Sequence, residues 1–421
     1  MLHLRQRRCY RWRHALPPLP RNAHRHCQRT PRRLSSAATD PAPRPPLQQM
    51  VMTELRAVGQ LVGGGLVVVT ALLASSGYVI ESVKRLHPLP PPGLLLELVG
   101  RDGTVSDVHV QQRGSGDVTV LLDGGVGETS FDWDKVSTDV ATFAAVVSID
   151  RPGLGFSAPG ALPRTSTQIV DEYKQILDKL NITGTVVLVA HGAGGYNMRQ
   201  LAEELATAPS GRLKCGGLVL VDVLQENLRR ELESVSDVVH KLLLEMDGNG
   251  DTVLRLARFG LIRLINLVQH AKLQAKFTAA ALPYVEYFLP SPAHREGALR
   301  ENQAIPETEQ RFRDSVSTAT PFEFPCVVLS HGKAGMFDGM KMQAGITTRM
   351  LADLEHKWLD AQIKLANTIS KRTAHLVVKD AGHCIHHEKP EEIVKAVRAL
   401  VDEIGGEVGE HRGLMALTDD A

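Results

Sequence analysis

The fold is decided by residues 186–195, which read Val186-Val187-Leu188-Val189-Ala190-His191-Gly192-Ala193-Gly194-Gly195. The short apolar run at the start is typical of a strand buried on both faces in the middle of a parallel sheet. It enters a turn of small residues, and Tyr196 to Ala206 then has helical spacing. Small residues allow close approach of strand and helix and tolerate strained dihedral angles. The segment therefore predicts a strand, a sharp turn with Gly192 at its tip, and a helix.

Turns of this kind carry the nucleophile of many serine enzymes in the pattern G-x-S-x-G. Here Ala190, Gly192 and Gly194 take the three marked positions, so glycine stands where the attacking serine would be. Without a hydroxyl group no acyl-enzyme forms at this position, and neither His191 nor Asn197 is placed to substitute. The pattern predicts an intact turn with a vacant nucleophile position.

Two backbone N–H groups are expected to form an oxyanion site. The apolar run Val118 to Leu122 enters residues 123–127, Asp-Gly-Gly-Val-Gly, whose glycines let the N–H of Val126 point into a pocket. The second predicted donor is the N–H of Ala193, directly after the turn. Both would stabilise negative charge on a carbonyl oxygen.

A general base is predicted at His383, in a loop that follows the strand His375 to Lys379 and precedes a helix beginning at Pro390. A histidine after the final strand is where a base would reach the turn at Gly192. The alternative is an ordinary loop histidine, since His386 and His387 lie nearby.

The acid that would orient this histidine is assigned to Asp338, in the loop after the strand Cys326 to Ser330. Asp222, at the end of the strand Leu218 to Val221, is the alternative. Either residue could equally be a capping or loop residue.

The order of elements predicts an α/β fold. An antiparallel pair, Leu94 to Val99 and Ser106 to Gln112, precedes alternating strands and helices, which indicate a doubly covered, mostly parallel sheet. Over residues 224–321 the alternation of strands and helices stops and the apolar residues have helical spacing; we interpret this segment as a cap. The predicted core is therefore 94–223 and 322–405, followed by a disordered tail, 406–421.

The first 34 residues are interpreted as a mitochondrial transit peptide. Ten arginines and no acidic residue lie between Met1 and Thr39, and such Arg-rich, acid-free segments are typical of organelle import. Cleavage is predicted after Leu34, followed by a linker, 35–60. A disordered basic tail or an RNA-contacting arm is the alternative.

Residues 61–80 contain no charged side chain over a length that can cross a bilayer. We interpret them as a single transmembrane helix, because the Gly63-Gly64-Gly65 run disfavours a helix in water and nothing in the predicted fold would cover it. A buried core helix is the alternative.

If residues 61–80 cross the membrane, the Pro-rich residues 81–93 would be a stiff spacer between the membrane and the folded domain. The predicted location is the mitochondrial inner membrane, with another organelle or an endomembrane as alternatives.

Five motifs in order resemble the α/β-hydrolase family (the AB hydrolase 1 group). They are Val120 to Trp133, Ile149 to Thr165, Val187 to Gly195, Gly217 to Asp222 and Gly382 to Pro390. The resemblance implies an eight-stranded α/β-hydrolase fold with helices on both faces and a helical cap, and an ester-hydrolase chemistry that Gly192 puts in question. It also implies a structural role for Asp150-Arg151.

Composition excludes several other functions. Lys and Arg (48) balance Asp and Glu (47), and no Walker lysine or Rossmann acidic partner follows the Gly-rich loops, so neither nucleic acid nor a nucleotide is expected. Five scattered cysteines indicate neither disulfides nor a zinc site, and no cofactor or metal is predicted.

Three functions remain. They are a non-catalytic module for an unknown small ligand or protein partner, an enzyme that uses His383 as a base without a covalent step, and an ordinary esterase or lipase with another nucleophile. Ser157 is the nearest serine in a motif, but it follows a different strand.

Overall fold

The centre of the protein is a mixed β-sheet. The computed structural model describes residues 65, 68, 69, 71–207, 211–315 and 320–406. Within them, eight strands pair in the order β1-β2-β4-β3-β5-β6-β7-β8. The strands are β1 (Leu94–Val99), β2 (Val105–Arg113), β3 (Val118–Asp123), β4 (Ala145–Ile149), β5 (Gly184–His191), β6 (Leu213–Val221), β7 (Cys326–His331) and β8 (Thr373–Val378). Strand β2 is antiparallel to both β1 and β4, and all other pairs are parallel.

Helices cover both faces of this sheet. In chain order the helices are α1 (residues 71–86), α2 (Asp134–Val140), α3 (Ser166–Lys179), α4 (Gly194–Thr207), α5 (Leu228–Glu233), α6 (Asp237–Gly248), α7 (Gly250–Arg258), α8 (Leu261–Val268), α9 (His270–Lys276), α10 (Leu282–Phe288), α11 (Pro292–Ser315), α12 (Thr348–Ile369), α13 (Ile385–Glu388) and α14 (Pro390–Gly405). One buried cluster joins the sheet to α3, α4 and α12, and a second joins it to α2 and α14. Strands buried on both faces explain the continuous apolar runs in the sequence.

The cap consists of α5 to α11, inserted between β6 and β7. Apolar side chains of the cap, among them Phe277, Val285 and Phe288, pack on Phe131 of the core. The parallel strands end at one edge of the sheet, beneath this cap. In open parallel sheets this edge is where ligands bind.

The N-terminal helix α1 packs against the cap. The Glu81 carboxylate lies 2.9 Å from the Arg263 guanidinium of α8, and both side chains are buried. Gly77 is in close contact with the turn between α7 and α8, because a Cβ added there would lie 2.5 Å from the carbonyl oxygen of Phe259. The expectation that nothing packs against this segment was therefore wrong at Gly77, whereas most other described residues between 65 and 79 are exposed.

Parts of the predicted N-terminal and C-terminal segments lie outside the described residues. These are the transit peptide 1–34, the linker 35–60, residues 61–64, 66, 67 and 70 of the predicted transmembrane segment, and residues 407–421 of the tail. No helix in the described part of the chain combines the length and apolarity that crossing a membrane requires.

Candidate active site

The turn after β5 has the geometry expected for a nucleophile position. Strand β5 ends at His191, α4 begins at Gly194, and Gly192 between them has φ of 53°. This left-handed backbone is the strained conformation that places a side chain at the tip of such a turn. A Cβ at Gly194 would lie 2.6 Å from the carbonyl oxygen of Gly124, so this position tolerates only glycine.

His383 and Asp222 form a hydrogen-bonded pair beside this turn. The His383 Nδ1 atom lies 2.7 Å from Asp222 Oδ2. The His383 carbonyl oxygen accepts a hydrogen bond from His191 Nε2 at 3.1 Å, which holds the histidine loop against the end of β5. Burial lowers the pKa of His383, and the hydrogen bond to Asp222 only partly offsets this effect. A neutral imidazole at neutral pH can accept a proton.

The structure does not bring Asp338 to this histidine. Its side chain is 52% exposed and pairs with Lys341 at 2.7 Å. It lies in a short 3₁₀ helix after the loop that follows β7. The alternative, Asp222, is the carboxylate that contacts His383, so the acid position belongs to the end of β6.

Asp222 is surrounded by donors. Besides His383, it accepts hydrogen bonds from His331 Nδ1 at 2.7 Å and Trp358 Nε1 at 3.0 Å. Burial acts to raise the pKa of Asp222, but the hydrogen bonds from His331 and His383 outweigh it and hold that pKa below its usual range. The negative charge of Asp222 is thus shared between two imidazoles.

His331 is held between two carboxylates, and it makes stability depend on pH. Burial acts to lower its pKa, but the hydrogen bond to Asp222, with the contact to Glu355 at 2.9 Å, raises it to about 9. A raised pKa in the folded state adds stability that is complete below the unfolded value of about 6.5 and is lost as pH rises through 9. The difference corresponds to on the order of 3 kcal/mol. We expect urea unfolding of the wild type to show this loss between pH 6 and 9.5.

The control for this pH dependence is His331→Gln, which keeps a polar side chain but does not titrate. Its free energy of unfolding should be lower than that of the wild type at pH 6 and should change much less between the two pH values. Equal pH dependence of the two proteins would contradict the assignment of the titrating group to His331.

Two backbone donors near Gly192 have no acceptor in the described part of the chain. They are the N–H groups of Val126 and Ala193, although the neighbouring N–H groups of Gly125 and Gly127 bind Glu128 and Glu301. Ala193 also precedes α4, whose N-terminus carries a partial positive charge. Both N–H groups are therefore available to a carbonyl oxygen or an anion.

Arg151 fixes the loop that carries Val126. Its guanidinium donates to the carbonyl oxygens of Gly124 at 2.8 Å and Gly125 at 2.6 Å, and it binds the carboxylate of Asp123. On the other side it donates to Glu301 of cap helix α11 at 2.7 and 2.8 Å. This arginine therefore has a structural role and joins the cap to the loop 124–128 after β3, which we call the oxyanion loop.

The cap leaves little space at the oxyanion donors. A cavity of about 20 Å³ lies there, lined among others by Val126, Ala193, Tyr196 and Glu301. This is room for about one water molecule. Glu301, Ile305 and Thr308 of α11 form one side of this cavity.

Other nucleophiles near the site are not available. The Ser157 hydroxyl is buried, donates to the carbonyl oxygen of Asp150 and accepts from the N–H of His109. Burial raises the pKa of the Cys384 thiol to about 11, so it carries no thiolate at neutral pH. Neither of these two side chains is therefore available as a nucleophile at neutral pH.

Sequence reasoning missed Glu301 and the grouping of several histidines with carboxylates around this site. Glu301 lies far along the chain in a helix with no motif, and only the fold shows that it binds Arg151. Three groups of histidines and carboxylates could hold a metal ion: Glu128, His191 and His386; Asp132, His386 and His387; and Asp222, His331 and His383. The histidine-rich run at 383–387 was the available signal.

Known proteins support the fold. A profile of the alpha/beta hydrolase family matches residues 120–396. An uncharacterized protein of Bacillus subtilis, YqjL, is 30% identical over 87 residues, which is 20% of this chain and 34% of that protein. An uncharacterized protein of Schizosaccharomyces pombe is 24% identical over 321 residues, covering 68% of this chain and 53% of that protein. The chain thus spans about half or less of the length of these curated relatives.

Two solved structures share the fold at low sequence identity. A putative alpha/beta hydrolase from Nostoc is 16% identical, with a TM-score of 0.52 over 73% of this chain and 97% of that one. A putative epoxide hydrolase from Pseudomonas aeruginosa is 15% identical, with a TM-score of 0.50 over 75% of this chain and 97% of that one. The family profile covers most of the chain, from β3 to α14. The chain therefore belongs to the alpha/beta hydrolase family.

Proposed function

We propose that this protein is a membrane-associated member of the family that binds a small ligand, or a partner within a complex, without forming an acyl-enzyme. The observation that carries the proposal is Gly192 at the tip of the turn, next to a preserved His383–Asp222 pair. Residues of a catalytic triad act as a unit, and loss of the serine alone removes about six orders of magnitude in turnover. The two N–H donors and the pocket would retain only a rate enhancement on the order of a thousandfold over the uncatalysed reaction in water.

The chemistry of the preserved groups limits the ligand. The N–H groups of Val126 and Ala193 suit a carbonyl or anionic oxygen, and the neutral His383 suits a hydroxyl group as a hydrogen-bond partner. A carbonyl compound with a neighbouring hydroxyl group meets both requirements. Its entry depends on opening the contact between Glu301 and Arg151.

The experiment that tests this proposal uses a serine-directed fluorophosphonate probe. We expect no labelling of the purified wild-type protein, and no difference between wild type and His383→Ala, because no hydroxyl group is activated. Intact-protein mass spectrometry measures the adduct. Labelling of the wild type that disappears in His383→Ala would overturn the proposal.

The second candidate is an enzyme that uses His383 as a general base on water or on a substrate proton. It is favoured by the burial of His383, which lowers its pKa, and by the free N–H groups of Val126 and Ala193. Positioned general bases contribute typically 10²–10⁴-fold. In a screen of small esters and carbonyl compounds, turnover that falls by about 100-fold or more in His383→Ala would establish it, and turnover unchanged in that variant would dispose of it.

Membrane association is supported by exposed apolar side chains on α1 and α8, which we call the apolar surface. Leu72 and Leu86 of α1 are 63% and 76% exposed, and Leu267 and Val268 of α8 are 67% and 88% exposed. The buried pair Glu81–Arg263 and the Gly77 contact hold the two helices together, as described above. Apolar patches of this kind mark interaction surfaces. Lys84 of α1 and Arg255 of α7 add positive charge suited to anionic lipid headgroups, whereas Arg85 and Arg258 lie in ion pairs with Glu81 and Glu296.

The apolar surface predicts binding to lipid vesicles. We expect the full chain to cosediment with vesicles that contain anionic lipid, and Leu267→Asp with Val268→Asp to weaken this binding several-fold, because charged groups resist burial in lipid. Met342→Asp, at a residue that is 94% exposed in a loop outside the surface, is the control. Unchanged binding of the α8 variant would assign membrane attachment to residues 61–80 alone.

The mitochondrial inner membrane remains the proposed location, supported by the Arg-rich residues 1–34. N-terminal sequencing of the protein recovered from cells tests it. A mature chain that begins at Ser35 is expected, and a chain that retains residues 1–34 in the cell would contradict the predicted cleavage.

A further inference from the structure

A second group of polar side chains lies directly beneath the turn at Gly192. We name it the Glu128 cluster: Glu128, His191 and His386. Glu128 belongs to the oxyanion loop after β3, His191 is the last residue of β5, and His386 lies in α13 after β8. The side chains of His191 and His386 are 2% and 0% exposed, and that of Glu128 is 14% exposed. None of these residues has a role in the proposed function.

His191 has an acceptor on each ring nitrogen. Its Nε2 atom lies 3.1 Å from the carbonyl oxygen of His383, and its Nδ1 atom lies 2.8 Å from Glu128 Oε2. A neutral imidazole has a single N–H, which the carbonyl oxygen requires, because a carbonyl can only accept. The lone pair on Nδ1 then faces the Glu128 carboxylate, and two electron-rich atoms repel each other. A positive charge is therefore needed, either as a cation between Nδ1 and Oε2 or as a second proton on the ring.

His386 is buried with neither ring nitrogen hydrogen-bonded within the described residues. Its ring lies between those of His191 and His387, with centroid distances of 4.3 and 4.2 Å. Its Nε2 atom lies 3.4 Å from Glu128 Oε1. Buried polar groups are nearly always paired, and leaving one unpaired is unfavourable. In this cluster, His386 Nε2 is therefore a buried nitrogen atom without a hydrogen bond among the described residues, and it faces the same carboxylate as His191.

We propose that the Glu128 cluster binds a divalent transition-metal ion of the zinc type through Glu128, His191 Nδ1 and His386 Nε2. Two imidazoles and a carboxylate are a ligand set that such ions accept. With metal–ligand distances of about 2.0–2.1 Å, ligand atoms in a tetrahedral site lie about 3.3 Å apart. The observed separations of 2.8 and 3.4 Å are close to this value.

The surroundings of the cluster fit the same interpretation. Metal-binding histidines usually donate their other N–H to a carbonyl or carboxylate, as His191 does to the carbonyl oxygen of His383. The N–H of Gly125 donates to Glu128 Oε2 at 2.7 Å, which orients this carboxylate. A bound ion would join the oxyanion loop, the turn and the histidine loop.

The test uses the full chain, purified without a polyhistidine tag, loaded with Zn²⁺ or Co²⁺ and dialysed. We expect elemental analysis to find one equivalent of metal per chain, and the cobalt form to show the visible absorption of a tetrahedral site. Glu128→Gln and His386→Asn should each weaken binding at least about tenfold. His356→Asn, at an exposed histidine of α12, should retain one equivalent.

Two results would overturn the proposal. One is wild-type protein that keeps no metal after dialysis, which would assign the contact between His191 and Glu128 to a protonated imidazole. The other is one full equivalent in both cluster variants, which would assign the metal to another site. Because His386→Asn alters a buried residue, circular dichroism checks its fold. The near-isosteric Glu128→Gln gives a second test, and neither readout depends on enzymatic activity.

Discussion

Gly192→Ser is expected to be labelled by fluorophosphonate probes at a rate on the order of a thousandfold or more above that of the wild type, for which we expect no labelling. The groups that activate a serine are already arranged around the turn. His383 is hydrogen-bonded to Asp222 at 2.7 Å, and the N–H groups of Val126 and Ala193 are free to stabilise the adduct. A hydroxyl group at position 192 is what the constellation lacks. Labelling is followed by gel fluorescence and located by peptide mass spectrometry.

The turn can accept this substitution. A Cβ at position 192 would lie 3.3 Å from the Cα atom of Gly125, so the oxyanion loop has to shift by a few tenths of an ångström. The φ of 53° is strained for serine, at about 1–3 kcal/mol, but elbow serines ordinarily carry this strain. We therefore expect a folded variant with slightly reduced stability.

Gly192→Ala is the matched control, because it adds the same Cβ without the hydroxyl group. It should remain unlabelled, and Gly192→Ser combined with His383→Ala should lose the labelling. Labelling of Gly192→Ala would show that the probe reacts elsewhere. A folded Gly192→Ser that stays unlabelled would show that His383 does not reach position 192.

The secondary structure could be predicted closely because buried parallel strands leave a simple signal. The predicted strand at Leu94 to Val99 has the observed bounds, and the strand at Cys326 differs only in its last residue. Strands β5 and β6 begin earlier than predicted, at Gly184 and Leu213, where polar residues and glycines interrupt the apolar run. Pairing with neighbouring strands, rather than local pattern, extends them.

The acid could not be chosen from the sequence because Asp222 and Asp338 both follow strands that end at the same edge of the sheet. Sequence pattern gives the edge but not which carboxylate turns toward His383. Asp222 does so with a left-handed φ of 48°, which is uncommon for a residue other than glycine. Such a backbone angle depends on tertiary contacts and has no periodic signal.

The N-terminal segment shows a related limit. An uncharged stretch of this length is equally compatible with a membrane helix and with a helix that packs on an apolar cap. The contact that packs this helix on the cap is made by Glu81, which lies one position beyond the predicted span, and its partner Arg263 is far along the chain. Glu301, Glu128 and His386 escaped prediction for the same reason, since their partners lie on other elements.

Arg151→Met is expected to destabilise the protein by about 3–5 kcal/mol, which urea unfolding measures. Arg151 is 2% exposed, and it neutralises Asp123 and Glu301, which are 2% and 4% exposed. Methionine fills a similar volume but leaves both carboxylates buried without a cation. The change also releases the carbonyl oxygens of Gly124 and Gly125, so the loss falls on the oxyanion loop and on the contact with the cap.

Arg212→Met is the control, because Arg212 and Asp178 are also 2.7 Å apart but their side chains are 49% and 74% exposed. Exposed pairs contribute about 0–1 kcal/mol, so this variant should unfold at nearly the wild-type urea concentration. Glu301→Gln tests the cap side alone, since Asp123 keeps its partner and the amide oxygen can still accept a hydrogen bond from Arg151. Its free energy of unfolding should therefore decrease less than that of Arg151→Met. A decrease of less than about 1 kcal/mol in the free energy of unfolding of Arg151→Met would contradict this prediction. It would mean that water enters beneath α11 and solvates the two carboxylates, so that the cap packs less tightly on the core than the buried guanidinium indicates.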